Sequence, residues 1–391
     1  MLNNMIQGGY SQSINMLRFP LAILVVFVHS FGATNIDVTE LHASGFTGLA
    51  VYDYIRLFFS LVIARSAVPI FFMMSGFLFF LNIEEYSKSV FIVKLRKRWY
   101  SLVIPYLSWI VLFILWTLMS KVAGILLYAK SWTIILDYFQ ENGYLHMLWN
   151  SCIWEERTTW LGVETHNSGP ILYPFWYMRD LIMMVIISPV IYWLIKKVNV
   201  LVLILLIALY VFDIRISWMS GTFTSACLFF SIGAYFAIKK QDFTNVLWKW
   251  KKIICPVAVA LMVCQTYTGS AMGDETARMI HPWLVIFQSF ALILLASELC
   301  KYPKIYGINK KLARTSFFIY ALHPFFLGYV LSAFDKIVLN CDKFIPVSGS
   351  WLVMTFKYLS APLVCVAICI GIYGIMLKLM PGVLRMIIGE R

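Results

Sequence analysis

Long apolar runs recur along the whole 391-residue chain and constrain its fold more than any other feature. Charged residues make up 13% of the chain, well below the quarter that is typical of soluble domains. The sequence therefore predicts an all-α integral membrane protein that forms a single transmembrane domain over residues 1–391. With about 20 apolar residues needed to cross a bilayer, we expect about ten transmembrane helices, at residues 14–33, 56–81, 99–120, 174–195, 198–213, 221–239, 252–269, 281–300, 313–334 and 356–380.

Basic residues collect in every second connection between these spans. Cytoplasmic loops of membrane proteins are enriched in Lys and Arg, so the asymmetry predicts that both termini are cytoplasmic. It also accounts for the net charge of +13 without a nucleic-acid partner. The expected surroundings are a lipid bilayer, and the expected location is a bacterial inner membrane.

One long connection, at about residues 121–173, falls on the outer side. Loops of this length are usually functional or disordered, and its many aromatic residues favour order. Two interpretations stay open: an interfacial helix that lays Trp and Tyr at the headgroups, or a platform for a sugar or lipid-linked substrate. Cys152 and Cys341 both fall in outer loops, which allows a disulfide between them.

The first span carries two ionisable residues, Arg18 and His29, inside an apolar run. Such residues are expensive in a membrane and indicate function by default. On a helix they share one face, about 16 Å apart along the axis at about 1.5 Å per residue. Arg18 is expected near the cytoplasmic surface, and His29 deeper in the membrane.

The second span contains Arg65 and a Ser75–Gly76 pair. A guanidinium at this depth needs a carboxylate, a phosphate or a ring of acceptors. The small residues at 75 and 76 allow another helix or a ligand to approach closely.

Trp176, Arg179 and Asp180 open the fourth span. On a helix the two adjacent charges point about 100° apart, so we do not expect them to neutralise each other. Two alternatives stay open: a partner from another span, such as Arg65 for Asp180, or a structural ion pair at the membrane boundary.

In the ninth span, Tyr320 and His323 lie on one helical face before Pro324. His323 is either a satisfied core histidine or, together with His29, part of a polar interior cavity. His281 precedes Pro282 at the predicted start of its span, where an interfacial cap is expected.

These residues resemble the acyltransferase 3 family of integral-membrane enzymes. The resemblance rests on Arg18 with His29, VPIFFMMSGF at 68–77, KLRKRWYSLVIPY at 94–106, FWYMRDL at 175–181 and SFFIYALHP at 316–324. It covers essentially the whole chain in order. It implies transfer of an acyl group, often acetyl from acetyl-CoA, to an extracytoplasmic carbohydrate or glycolipid. The long outer connection matches no family pattern, so the acceptor cannot be carried over.

The mechanism that the resemblance implies gives each residue a role. His29 is the expected general base, since a histidine near its ordinary pKa of about 6.5 suits removal of a hydroxyl proton. Arg65 is the expected oxyanion-stabilising or acceptor-orienting group. The expected donor-binding residues are Arg18, Ser75, Arg96 and Arg98, and the expected substrate-binding residues are Trp176, Arg179, Asp180, Tyr320 and His323. A covalent acyl-His29 intermediate is a variant of this mechanism, and no metal is expected.

A membrane transporter or flippase for a carbohydrate or lipid is the alternative function. Interior charges on many spans suit it equally well on physical grounds. Transporters usually show internal repeats and paired broken helices, and the sequence shows neither. The enzyme interpretation is therefore favoured, mainly through the resemblance.

Overall fold

The computed structural model describes residues 2–31, 36, 38–45, 47–151, 156–160, 163–167, 169–214, 222–269, 275–341 and 350–389. Most of them are helical. The α-helices are α1 (Leu2–His29), α2 (Val38–Ala43), α3 (Gly48–Arg56), α4 (Ala67–Phe80), α5 (Lys88–Arg98), α6 (Ile104–Tyr128), α7 (Thr133–Glu141), α8 (Trp176–Val198), α9 (Leu201–Val211), α10 (Phe223–Ile238), α11 (Phe243–Thr268), α12 (Glu275–Leu299), α13 (Pro303–Leu312), α14 (Ser316–Cys341), α15 (Ser350–Leu379) and α16 (Pro381–Ile388).

The remaining elements are short. Two segments are π-helical, Leu57–Val62 and Trp99–Val103, and three are 3₁₀, Ile63–Ser66, Tyr144–Leu148 and Tyr173–Phe175. Strands β1 (Glu156–Trp160) and β2 (Val163–Asn167) pair antiparallel within the long connection at about residues 121–173. The described part of that connection also holds α7, so it is substantially ordered. The proposed Cys152–Cys341 disulfide lies outside the described residues, because Cys152 is not among them.

The prediction of a helical integral membrane protein is confirmed. Seven helical stretches among the described residues are long and apolar enough to cross a membrane. They are Tyr10–His29, Gly48–Phe80, Lys88–Tyr128, Tyr173–Val198, Glu275–Leu299, Ser316–Ile337 and Trp351–Leu379. The shorter apolar helices α9 and α10 and the Lys-bearing helix α11 cover the other three predicted spans.

The chain groups into two compact units. The first unit comprises Met1–Met74 and Lys239–Gly374, and the second comprises Ser75–Ile238 and Ile375–Arg391. The division falls within α4 and α15, so both units are built from membrane helices rather than from a membrane part and a soluble part.

In the first unit, α1 is the central helix and packs against α11, α12, α13 and α14. The side chains of Leu21, Ala22 and Val26 on α1 are almost completely buried. The second predicted span is not one regular helix. It changes from α-helical to π-helical at Leu57 and to 3₁₀ at Ile63, and it returns to α-helix at Ala67.

In the second unit, α10 crosses α4 at Gly76. A Cβ atom there would lie 2.0 Å from the carbonyl oxygen of Phe230, so only glycine allows this approach. Of the two possibilities for the Ser75–Gly76 pair, a helix or a ligand, the structure shows the close approach of a helix at Gly76. The basic segment before the third span is also helical, because α5 continues through the π-helical turn into α6.

Helix α16 was not predicted from the sequence. Its apolar side chains Leu384, Ile387 and Ile388 are buried in the second unit. The indole Nε1 of Trp109 on α6 donates a hydrogen bond to the carbonyl of Ile387 at 2.8 Å. The segment therefore packs as a helix on α6 after the last predicted span ends.

Candidate active site

Two histidines, half-buried His29 and buried His323, meet in the first unit. His29 is the last residue of α1, and its ring stacks on that of His323 from α14, with centroids 5.3 Å apart and planes 30° apart. The ring of Tyr320, one turn earlier on α14, is centred 6.5 Å from that of His323. The structure thus brings together His29, Tyr320 and His323, which the sequence placed in spans about 300 residues apart.

The hydrogen bond of His323 fixes its tautomer. Its Nδ1 lies 3.2 Å from the carbonyl oxygen of Ile319, which can only accept, so Nδ1 carries the proton. Nε2 is then a lone-pair acceptor. It is completely buried and has no hydrogen-bond partner among the described residues. A buried acceptor without a partner costs about 1–3 kcal/mol, so the satisfied-core interpretation of His323 does not describe this atom.

The position of His29 is set by the end of α1. The carbonyl of Phe27 accepts hydrogen bonds from the Ser30 backbone N–H at 3.2 Å and from the Ser30 hydroxyl at 2.9 Å. It also accepts one from the Ser60 hydroxyl at 2.5 Å, and the Tyr358 hydroxyl lies 2.6 Å from that of Ser60. These groups satisfy a carbonyl that the helix end would leave without a partner, and they hold the last turn in place.

Arg65 lies in the 3₁₀ turn of the second span, and its side chain is half-buried. Its charge is close enough to act on the imidazoles of both His29 and His281. The expectation that His281 caps a helix at the interface is wrong. Helix α12 begins at Glu275, so His281 lies in its second turn and faces the charge of Arg65. Sequence analysis missed this histidine because the polar first turn of α12 hid where the helix begins.

Arg18 lies on the same continuous helix as His29, and its side chain is half-buried. Pro20 is accommodated within α1, so the helix runs without interruption between the two residues. The shared face that the spacing predicts therefore applies to the structure, because both residues belong to one regular helix.

The second unit contains a basic cleft of about 430 Å³. It is lined by Lys94, Lys97, Arg98, Tyr100, Ser101 and Gly389. The ammonium of Lys94 donates to the carbonyl of Phe79 at 2.7 Å, and the Arg98 guanidinium lies 5.8 Å from the Phe79 ring centroid. Arg96 is exposed on α5 and is not part of this lining. Lys94 and Lys97, which belong to the basic stretch at 94–106, are part of it.

Gly389 closes one side of this cleft after α16. Its φ of +69° is left-handed, and a Cβ atom would lie 2.6 Å from the carbonyl oxygen of Ser101. Both the backbone conformation and the close contact require glycine. The hydroxyl of Ser75 lies 3.3 Å from the hydroxyl of Tyr177 in the same unit.

Arg179 and Asp180 do form an ion pair, contrary to the expectation from their spacing. The Nε and Nη2 atoms of Arg179 each lie 3.1 Å from Oδ1 of Asp180. The long arginine side chain folds toward Asp180 in the first turn of α8. Nη1 of Arg179 donates to Asn150 Oδ1 at 2.7 Å, and the hydroxyl of Thr222 donates to Asp180 Oδ2 at 2.5 Å. Both charges are buried and engaged, which favours the structural interpretation.

Trp176 begins α8, one turn before this pair, and is half-buried. No group of three His, Cys, Asp or Glu side chains within the described ranges is arranged as metal ligands would be.

A comparison with protein families decides the class. The model of the acyltransferase 3 family, described as an acyltransferase domain, matches residues 11–377, nearly the whole chain. The chain belongs to the acyltransferase 3 family. With its long apolar helices, it is therefore an integral-membrane acyltransferase. No curated protein and no solved structure matches the sequence.

Proposed function

We propose that this acyltransferase moves an acyl group, most simply acetyl, from cytoplasmic acyl-CoA to a hydroxyl of an extracytoplasmic carbohydrate or glycolipid. The observation that carries the proposal is the stacking of His29 on His323 beside the charge of Arg65. Acyl transfer to a hydroxyl needs a base for the hydroxyl proton, a hydrogen-bond acceptor that orients the substrate, and a cation that stabilises the oxyanion.

His29 acts as the general base. Its neutral imidazole takes the proton of the acceptor hydroxyl while the hydroxyl oxygen attacks the thioester carbonyl carbon. Arg65 stabilises the negative charge that develops on the carbonyl oxygen. The carbon–sulfur bond then breaks, and the imidazolium returns its proton to the leaving thiolate. The products are an O-acyl ester and free CoA, and His29 is neutral again.

The phosphates of the donor are assigned to basic side chains. Arg98 with Lys94 and Lys97 in the second unit is one set of candidates, and Arg18 in the first unit is another, because guanidinium groups bind phosphate through two parallel hydrogen bonds. The cleft beside Arg98 is large enough for part of a nucleotide. Ser75 is assigned to the donor as a hydroxyl that can donate or accept a hydrogen bond.

The acceptor is assigned to aromatic and polar groups. Tyr320 and His323 lie beside His29, and the free lone pair of His323 Nε2 suits a second hydroxyl of the acceptor. Trp176 offers a ring for stacking against a sugar. Arg179 and Asp180 contribute by fixing the start of α8, since their polar atoms are already engaged.

The first test is acetyl-CoA binding to the purified protein by calorimetry, followed by transfer of labelled acetyl to a membrane extract. His29→Ala should retain acetyl-CoA binding and lose transfer by about 10²–10⁴-fold, the usual contribution of a general base. His146→Ala is the matched control, since this histidine is exposed in the outer connection. A His29→Ala protein that transfers acetyl normally would overturn the mechanism. Absence of acetyl-CoA binding by the wild type would overturn the donor assignment.

A further inference from the structure

A buried glutamine holds the irregular part of the second span. Gln288 lies on α12 and is 1% exposed. Its side-chain Nε2 donates to the carbonyl of Ile63 at 2.8 Å and to the carbonyl of Val62 at 3.2 Å. One amide group therefore satisfies two consecutive backbone carbonyls on another helix.

These carbonyls lie where the helix changes pitch. The π-helical segment ends at Val62 and the 3₁₀ segment begins at Ile63. Val62 has φ −106° and ψ −75°, well away from regular helix values near −63° and −42°. A change of pitch is a local departure from the regular helix, and the two hydrogen bonds from Gln288 tie the backbone of α12's neighbour down at this point.

Arg65 follows this transition by two residues and lies within the 3₁₀ turn. The direction in which its side chain leaves the backbone depends on the pitch and phase of this turn. A regular α-helix from Leu57 to Ser66 would rotate Arg65 away from its present position, because each π-helical turn contains an additional residue. The hydrogen bonds from Gln288 therefore act on Arg65 through the backbone, without a contact to the guanidinium.

We propose that Gln288 is a positioning residue of the transfer reaction, which fixes the helix transition that places Arg65. This rests on the proposed function, in which Arg65 stabilises the oxyanion. Packing alone does not explain a glutamine at this position. Its Oε1 has no hydrogen-bond partner within the described ranges, and an apolar side chain would avoid burying that atom. The two N–H donors are what an apolar residue would lack.

The test compares two glutamines. Gln288→Met keeps the length of the side chain and removes both N–H donors. Gln265→Met is the matched control, because Gln265 is also 1% exposed, with Nε2 donating to the Gly269 carbonyl at 2.8 Å and no partner for Oε1 among the described residues. It lies on α11 at a helix end and holds no segment that bears a proposed catalytic group. Gln265→Met thus removes one buried hydrogen bond and Gln288→Met removes two, in equally buried positions.

We expect Gln288→Met to lower kcat by about 10–100-fold, since misplacement by about 1 Å can cost that much, with KM for acetyl-CoA nearly unchanged. Gln265→Met should leave kcat near the wild-type value. The decisive readout is a double-mutant cycle. In an Arg65→Ala background, Gln288→Met should have little further effect, because the group that it positions is absent.

Three results would overturn the proposal: unchanged kcat in Gln288→Met, an equal loss in Gln265→Met, or the same loss with and without Arg65. If Gln288→Met is not recovered folded, Gln288→Leu, an apolar side chain without hydrogen-bond donors, must show the same pattern in membranes normalised to protein amount. Failure of the proposed function is seen separately, as normal transfer by His29→Ala.

Discussion

Each unit holds a pair of ionisable side chains, and the pairs differ in charge and in how their polar atoms are used. In the second unit, the buried side chains of Arg179 and Asp180 form an ion pair, and Arg179 Nη1 and Asp180 Oδ2 bind Asn150 and Thr222. In the first unit, the ring of half-buried His29 stacks on that of buried His323, and Nε2 of His323 is left without a partner among the described residues. One pair is charged and bound to its neighbours, and the other presents an acceptor atom without a partner.

The difference follows from chemistry. An ion pair whose groups bind each other and their neighbours has little left to offer a substrate, and its formation offsets the cost of burying two charges. The Nε2 lone pair of His323 can still accept a hydrogen bond from a group that enters the site. We therefore expect damage to the Arg179–Asp180 pair to affect stability, and damage to the His29–His323 pair to affect the reaction.

The largest effect should come from Asp180→Asn. Removing one charge of a buried pair typically costs about 3–5 kcal/mol, because the other charge is left uncompensated. Thermal unfolding in detergent should show a clearly lowered midpoint, while kcat of the folded fraction stays near the wild-type value. Glu298→Gln is the control. It breaks an exposed pair with Lys301, which should cost at most about 1 kcal/mol.

A normal melting temperature in Asp180→Asn would contradict the stabilising role of the ion pair, because the pair would then contribute little to stability. A stable variant that had lost transfer would contradict it more directly, since the aspartate would then belong to the reaction.

The opposite result is expected of His323→Phe. Phenylalanine keeps a flat ring for stacking on His29 and removes the buried acceptor, so stability should be unchanged or raised by about 1 kcal/mol. Transfer should fall by about 10–100-fold if Nε2 binds the acceptor substrate, since a site built to bond a hydroxyl depends on that bond. Melting temperature and transfer rate, measured on one preparation, check both parts.

Cys365→Ala controls for altered packing, because the Cys365 sulfur lies 3.9 Å from the carbonyl of His323 and has no proposed role. It should leave the transfer rate near that of the wild type. A His323→Phe variant that is stable and fully active would show that His323 is a structural core residue. The two pairs would then not differ in function.

The extent to which the sequence predicts this structure depends on whether a feature is periodic. Apolar runs and the Arg18–His29 spacing are periodic, so helices and the shared face follow from residue counts. The pairing of His29 with His323 was suggested by depth alone, and it could only be inferred because few histidines lie in apolar runs. The structural ion pair was misjudged, since the spacing rule describes side chains within a helix and Arg179 lies in the first turn.

Features that depend on tertiary contact were not predictable. The π-to-3₁₀ change before Arg65 has no sequence signature of its own, and Gln288 lies more than 200 residues away from it. Helix α16 is short and follows the last apolar run, and its role beside the basic cleft depends on the contact of Gly389 with Ser101. Each case joins segments that are distant in sequence.

The smallest expected effect concerns the basic cleft, which extends the comparison to the donor. Arg98→Gln removes a lining charge and should weaken acetyl-CoA binding by about tenfold, near the 1.4 kcal/mol that a charge-assisted hydrogen bond contributes. Arg96→Gln, two residues earlier on the same helix but exposed and outside the lining, should change binding by less than about twofold, as surface charges do.

Calorimetry at one fixed salt concentration measures the binding of both variants, because exposed charges are screened more strongly than partly buried ones. Equal weakening by the two variants would mean that the general positive field of α5 attracts the donor. A larger effect of Arg98→Gln would mean that the cleft itself binds phosphate. Arg98 would then differ from the Arg179–Asp180 pair, because its N–H groups would bind the donor.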